Sequence, residues 1–172
     1  MICAADYSAG RCCDATIIQD TEMKSQISIR NAVPTDLDAV ISLDDVDPEE
    51  AKPAYWRGVF EHYVISDKGQ RLCLVAEVGK EVVGFIIGEV RAWEFGSPPC
   101  GWVFALTVSP KVRQRGIAHL MFEEICKRLK ETGIKTVRTM VHLDNTLTLS
   151  FFRSQGLRTG RYVELEKKLD SL

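Results

Sequence analysis

Two periods of apolar spacing divide the chain. "QISIR" (26–30), "LCLVAEV" (72–78), "VVGFIIGEVRAW" (82–93) and "GWVFALTV" (101–108) are dense in Val, Ile, Leu and Phe and end at turn residues, so they predict strands. Gly79-Lys80 between the second and third predicts a hairpin. Leu37, Val40, Ile41 and Leu43 recur at helical spacing after Pro34 and Thr35, and Asp47-Pro48 breaks that run. "PAYWRGVFEHYVIS" (53–66) predicts a second helix. Ile117, Met121, Ile125 and Leu129 share one face of a long third helix closed by Gly133. "KTVRTMVHL" (135–143) predicts a strand and "NTLTLSFFRSQG" (145–156) a short helix. "LRTGRYVELEKKL" (157–169) predicts a last strand, or two turned at Gly160.

The order β, α, α, three strands, α, β, α, β fits one mixed sheet flanked by helices, in the α+β or α/β class. A length of 172 residues suits one domain with a real core. Residues 1–24 lack periodicity and read as a peripheral extension, which leaves residues 25–172 for the domain.

Composition narrows the function classes. A net charge of −2 gives no basic field for nucleic acid. No apolar run approaches the roughly 20 residues of a membrane span, and residues 1–24 lack a secretory pattern. The six cysteines form no CxxC pair, so reduced thiols in a cytoplasm are expected. No cluster has metal-ligand spacing, and no metal is expected.

The candidate chemistry lies at a corner. "RQRGIA" (113–118) joins the strand ending at Val108 to the third helix. A glycine turn feeding a helix aims unpaired N–H groups and a partial positive charge outward, which suits a phosphate. Lys111, Arg113 and Arg115 add charge; Gly116 permits close approach and Ala118 leaves room. A Walker loop and a dinucleotide fingerprint both fail, since the first lacks Gly-Lys-Ser/Thr and the second lacks two of three glycines.

Arg113-Gln114-Arg115-Gly116-Ile117-Ala118 matches the pattern Arg/Gln-x-x-Gly-x-Gly/Ala, and Leu106-Thr107-Val108-Ser109-Pro110 matches Leu-x-Val-x-Pro before it. Asn145, Phe151-Phe152 and Gly156-Leu157 follow in order. Over about residues 26–169 the chain resembles the GNAT superfamily of acetyl-coenzyme A dependent N-acetyltransferases. The resemblance implies that family's fold, acetyl-coenzyme A as cosubstrate, and a primary amine as acceptor. It implies two splayed strands, with the pantetheine arm pairing along Leu106, Thr107 and Val108. The pyrophosphate would rest on Gln114 to Ala118, with Arg113 and His119 beside it. Asn145 would bond the pantetheine amide, Phe152 would pack at the thiol end, and Arg153 would reach a phosphate. A backbone N–H near Ala105 or Leu106 would polarise the thioester carbonyl. A homodimer is an admitted state.

The catalytic groups depart from the family. Positions that hold a glutamate base in some members carry Trp102 and Met140, and the tyrosine acid position carries Phe152. A thiol leaving group needs little help, with a reference pKa of about 8.5. The candidate base is His142, by alternation with Met140 on a strand face, or Glu89 near the end of its strand; Tyr162 is a candidate acid. Trp93, Glu94 and Phe95 are candidates for a substrate wall, and Tyr55, Trp56 and Tyr63 for the acceptor entrance or the core. Cys100 is expected to be inert. An acyl-coenzyme A sensing module is the alternative, motivated by the missing carboxylates.

Overall fold

The computed structural model describes residues 27–44, 52–66, 70–112 and 116–169. The expected extension, 1–24, and the loop residues Arg113, Gln114 and Arg115 lie outside these. The chain divides into two compact units, one ending at Thr139 and the other beginning at Met140.

The first unit holds a five-stranded sheet in sequence order, β1 (Ile27–Asn31), β2 (Arg71–Val78), β3 (Glu81–Arg91), β4 (Cys100–Val108) and β5 (Val137–Arg138). The first three pairings are antiparallel and β4–β5 is parallel. This is the mixed, mostly antiparallel sheet expected from the sequence. Helices α1 (Leu37–Asp44) and α2 (Pro53–Phe60) cover one face, and α3 (Ile117–Glu131) covers the other. Alternation along the strands assigns the faces. Cys73, Val75, Phe85 and Ile87 pack with Val40, Trp56, Val59 and Phe60. The Trp56 and Phe85 rings meet edge to face at 5.1 Å. Trp56 is therefore core, with its indole N–H donating to Asp44 at 2.8 Å.

Three glycines let α3 lie close to the other face. A Cβ at Gly84 would meet the Thr107 carbonyl oxygen at 2.9 Å and Met121 Cε at 3.0 Å. At Gly88 it would meet Ile125 Cδ1 at 3.1 Å, and at Gly101 it would meet Leu129 Cδ1 at 2.6 Å. Gly101 pairs with Val90, so the contacts 121, 125 and 129 advance with β3. Hence α3 runs parallel to β3 and antiparallel to β4. Its N-terminus stands at the Val108 end of β4. Gly84→Val is expected to destabilise the fold by about 1–3 kcal/mol, because a neighbouring backbone oxygen cannot give way as a side chain does. Thermal denaturation checks it: the loss corresponds to a fall in Tm of about 2–12 °C.

Two strand expectations fail. Instead of 135–143, β5 spans only Val137–Arg138, and no strand occurs among described residues 157–169. Val163 and Leu165 alternate with glutamates but are 84% and 92% exposed. Alternation describes a strand's two faces; only a partner makes it a strand. The second unit's regular element is helix α4 (Thr146–Ser154). The expected second helix continues past Phe60 as a π turn, Glu61–Ile65, closed by Ser66 N–H to Glu61 C=O at 3.0 Å.

Candidate active site

The hydrogen-bond phase of β4 decides what its edge offers. Ser109 N–H donates to Val83 C=O at 2.8 Å. Gly84–Val108 is therefore a pair without mutual hydrogen bonds, and by alternation so is Ile86–Leu106. The N–H and C=O of Leu106 and Val108 consequently point away from β3. On that side the pairing with β5 ends at Trp102–Arg138. Among the described residues no strand pairs with this side from Val103 to Val108, an open edge suited to accept an extended chain. Thr107 falls on the opposite phase. Its backbone groups are spent on Phe85, and its side chain faces the α1–α2 side. Ala105 is likewise paired with Ile87, so of the two amides considered for the thioester carbonyl only that of Leu106 lies on the open side.

A bulge interrupts this edge. Ile87 pairs with Ala105 but Gly88 pairs with Val103, leaving Phe104 unopposed. A bulge bends and twists its strand and frees backbone groups. The Phe104 ring meets Tyr63 edge to face at 5.4 Å.

At the Val108 end, α3 begins at Gly116, which has φ 75° and ψ 6°. That left-handed conformation is why glycine stands there. The first helical bond runs from Leu120 N–H to Gly116 C=O at 3.0 Å. The N–H groups of Ile117 and Ala118 precede it, in the first turn, where a helix has no carbonyl of its own to offer them. Ile117 is buried and anchors the turn; Ala118 is half-buried and His119 exposed. The His119 ring reaches Glu123 at 3.3 Å, one turn on. Open strand edge and helix N-terminus thus share one end of the sheet, and both fit an extended amide arm ending in phosphate.

The α1–α2 face beside the bulge carries a polar cluster. Tyr63, on the π turn, donates to Glu89 at 2.6 Å, and Arg91 Nε donates to the other carboxylate oxygen at 2.9 Å. The Arg91 guanidinium lies over the Trp102 ring at 4.4 Å, and Arg71 stands 5.4 Å from the Tyr63 ring centroid. Burial pushes the Glu89 carboxyl upward, but the hydrogen bonds from Tyr63 and Arg91 and the charges of Arg91 and Arg71 outweigh it. Its pKa lies below the ordinary carboxylate value. Burial first, then Glu89, pushes the Tyr63 phenol well up. Glu89 is therefore no solvated carboxylate. Tyr63 and Arg91 hold it ionised, which makes it a weak base. Sequence reasoning missed Arg91 and Arg71, because only the strand register brings them to Glu89 and Trp102.

In the second unit His142 is 76% exposed. It is not on a strand, so the alternation from which its role was argued does not apply. Its Nδ1 accepts from the Asp144 N–H at 3.2 Å and lies 3.7 Å from the Asp144 carboxylate. The first contact needs Nδ1 without a proton and the second a proton on it, so Asp144 faces both ring states. Asn145 caps α4, accepting from Thr148 N–H at 3.0 Å. The cap uses its oxygen and leaves its NH₂ group for another acceptor. Phe152 is buried beside Phe151, their rings 5.1 Å apart, while Arg153 is exposed.

Other candidates resolve simply. Tyr55 is half-exposed and Tyr162 more than half. Cys73 and Cys100 are buried free thiols, and burial pushes Cys73 up to about 12. Trp93 is 70% exposed, and it is the one non-glycine residue with positive φ, 57°, among the described residues. No group of three potential metal ligands and no helix long and apolar enough to cross a membrane occurs among them.

The model of the acetyltransferase (GNAT) family matches residues 37–157. L-2,4-diaminobutyric acid acetyltransferase of Nocardia farcinica is 29% identical over 98 residues, which are 57% of this chain. The match spans about half that relative's length, 49%. Among solved structures, aminoglycoside N-acetyltransferase AAC(6')-Iy in complex with CoA superposes with a TM-score of 0.72 at 18% identity, covering 83% of this chain and 95% of that one. The aminoglycoside 6'-N-acetyltransferase AAC(6')-IG of Acinetobacter haemolyticus superposes with 0.68 at 21%, covering 83% and 99%. A family model that runs through the β4 edge, the Gly116 turn and the Asn145 cap leaves one assignment: the chain belongs to the acetyltransferase (GNAT) family.

Proposed function

We propose that the protein transfers the acetyl group of acetyl-coenzyme A to a primary amine, by direct attack of the amine on the thioester. The observation that carries this is the β4 edge at Leu106 and Val108, unpaired among the described residues and ending beside the α3 N-terminus. Family membership supports it, as do relatives whose acceptors are an aminoglycoside and L-2,4-diaminobutyric acid.

The donor supplies an activated acyl group and a thiol that departs readily near neutral pH. The chain's own residues bind and orient. Leu106 and Val108 pair with the pantetheine arm as a strand would. The N–H groups of Ile117 and Ala118 receive phosphate, with His119 beside them and Arg113, Gln114 and Arg115 supplying the rest of the seat. The Asn145 NH₂ group donates to the arm, Phe152 gives the thiol end an apolar wall, and Arg153 offers a charge to phosphate. Positioning of this kind supplies much of the rate, since oriented intramolecular reactions reach effective molarities of about 10⁵ M or more. The Leu106 N–H is available to the developing oxyanion.

An acceptor amine is protonated near neutral pH and must lose that proton before it attacks. In this reading His142 takes it, with Asp144 steadying the ring. Glu89 keeps Tyr63 and Arg91 in place. The strained, exposed Trp93 belongs to the acceptor wall; backbone strain of about 1–3 kcal/mol is commonly retained at functional sites. The side chain of Phe95 lies outside the described residues. A sensing module without turnover is the competing reading, favoured by Trp102, Met140 and Phe152 at the usual catalytic positions.

Acetyl-coenzyme A at about 100 times its Kd is expected to add about 2.7 kcal/mol of stability. For a chain of this size that raises Tm by about 5–11 °C. No shift at millimolar ligand in differential scanning fluorimetry would overturn the proposal.

A further inference from the structure

We propose that the acceptor amine carries a carboxylate, as an amino acid does, and that Arg91 receives it. This rests on the N-acetyl transfer proposed above. The register sets one row of side chains across four strands: Arg71 opposite Glu89, Glu89 opposite Trp102, and Trp102 opposite Arg138. Arg91 lies two residues along from Glu89 on the same face. The row therefore gathers three guanidiniums and one carboxylate. The carboxylate is already engaged by Tyr63 and Arg91 and remains ionised. The guanidiniums outnumber the carboxylate.

The row also stands where the acetyl group must be presented. Trp102 is the last β4 residue paired with β5, and the bulge at Phe104 follows it. An extended arm running from Val108 to Phe104 covers about 13 Å of strand. That carries it from the α3 N-terminus, where phosphate is held, to the row.

Arg91 is preorganised to receive a carboxylate. Its Nε is fixed on Glu89 at 2.9 Å and its plane is laid on Trp102 at 4.4 Å. Among the described residues its two terminal nitrogens have no partner. A guanidinium held by its inner nitrogen presents an outer fork whose geometry matches a carboxylate. The side chain is 33% exposed, so it is reachable yet partly desolvated. A polyamine or an aminoglycoside would instead bring further positive charge against three arginines, and like-charge juxtaposition is strongly disfavoured.

Matched acceptors test this: lysine against cadaverine, L-2,4-diaminobutyrate against 1,3-diaminopropane, and an aminoglycoside, each compared by kcat/KM for thiol release. The carboxylated member of each pair is expected to lead by about 10- to 100-fold. Arg91→Met is expected to collapse that ratio toward one. Should this variant not fold, the wild-type ratios decide alone. Diamines or the aminoglycoside equalling or exceeding the amino acids would overturn the inference while leaving N-acetyl transfer intact. A carboxylate preference that survives in folded Arg91→Met would overturn the assignment to Arg91. No turnover with any amine would overturn the transferase reading, and this inference with it.

Discussion

Gly116→Asp is expected to weaken acetyl-coenzyme A binding by about 100-fold or more relative to Gly116→Asn, which is the cost of a like charge set against phosphate. Comparing the two variants is necessary because Gly116 has φ 75°. Any side chain there is strained, so loss of binding in one variant alone would not separate backbone from charge. Asparagine and aspartate tolerate the left-handed region best among residues with a side chain, and they are nearly the same size. A Cβ at this position meets nothing within 4 Å, so neither adds a clash. What differs is a negative charge at the first turn of α3. Alone, that charge suits a helix N-terminus and stabilises the fold slightly; against a bound phosphate it repels. Aspartate should therefore bind the coenzyme far more weakly while melting no lower than asparagine. Equal affinities from isothermal titration would remove the α3 N-terminus from the site.

His142→Ala is expected to lower turnover by about 10²- to 10⁴-fold while leaving coenzyme affinity nearly unchanged. The side chain is 76% exposed and contacts only Asp144 among the groups resolved around it, so its removal leaves no cavity. Stability should stay within about 0.5 kcal/mol of wild type, as for other surface substitutions. The rate profile should lose its limb near neutral pH. If His142→Ala turns over within tenfold of wild type with the limb intact, the histidine has no part in proton removal, and water carries the proton to solvent.

Much of the frame was legible because period and punctuation agree. The apolar density of 72–78, 82–93 and 101–108 found strands with boundaries within a residue or two. The four-residue spacing of Ile117, Met121, Ile125 and Leu129 marked the face of α3 that packs on the sheet. The corner at Gly116 was readable for the same reason that it works: a glycine must stand where φ is positive, and a helix must follow. Leu106 and Val108 came from the family pattern, and the hydrogen-bond phase of β4 supplies the physical reason.

Where the reading failed, long-range pairing decides. "KTVRTMVHL" alternates as a strand over nine residues, but pairing with β4 covers two. The rest could not be strand without a neighbour, so the argument placing His142 on a strand face fell with it. "YVELEKKL" fails alike. Arg91 was passed over because nothing local marks it. Its partner Glu89 is two residues away on the same strand, its platform Trp102 is on the next, and the register that unites them depends on a bulge at Phe104. The same bulge escapes notice in "GWVFALTV", where an extra residue leaves the apolar run unbroken.

The most direct test of the central claim is amine-dependent release of free thiol from acetyl-coenzyme A, followed together with the mass of the amine. N-acetyl transfer predicts that thiol and acetylated amine appear in equal amounts, at a rate that saturates in both substrates. A chain that is stabilised by acetyl-coenzyme A, yet releases no thiol with any primary amine in the panel, would contradict it and leave a sensing module in its place.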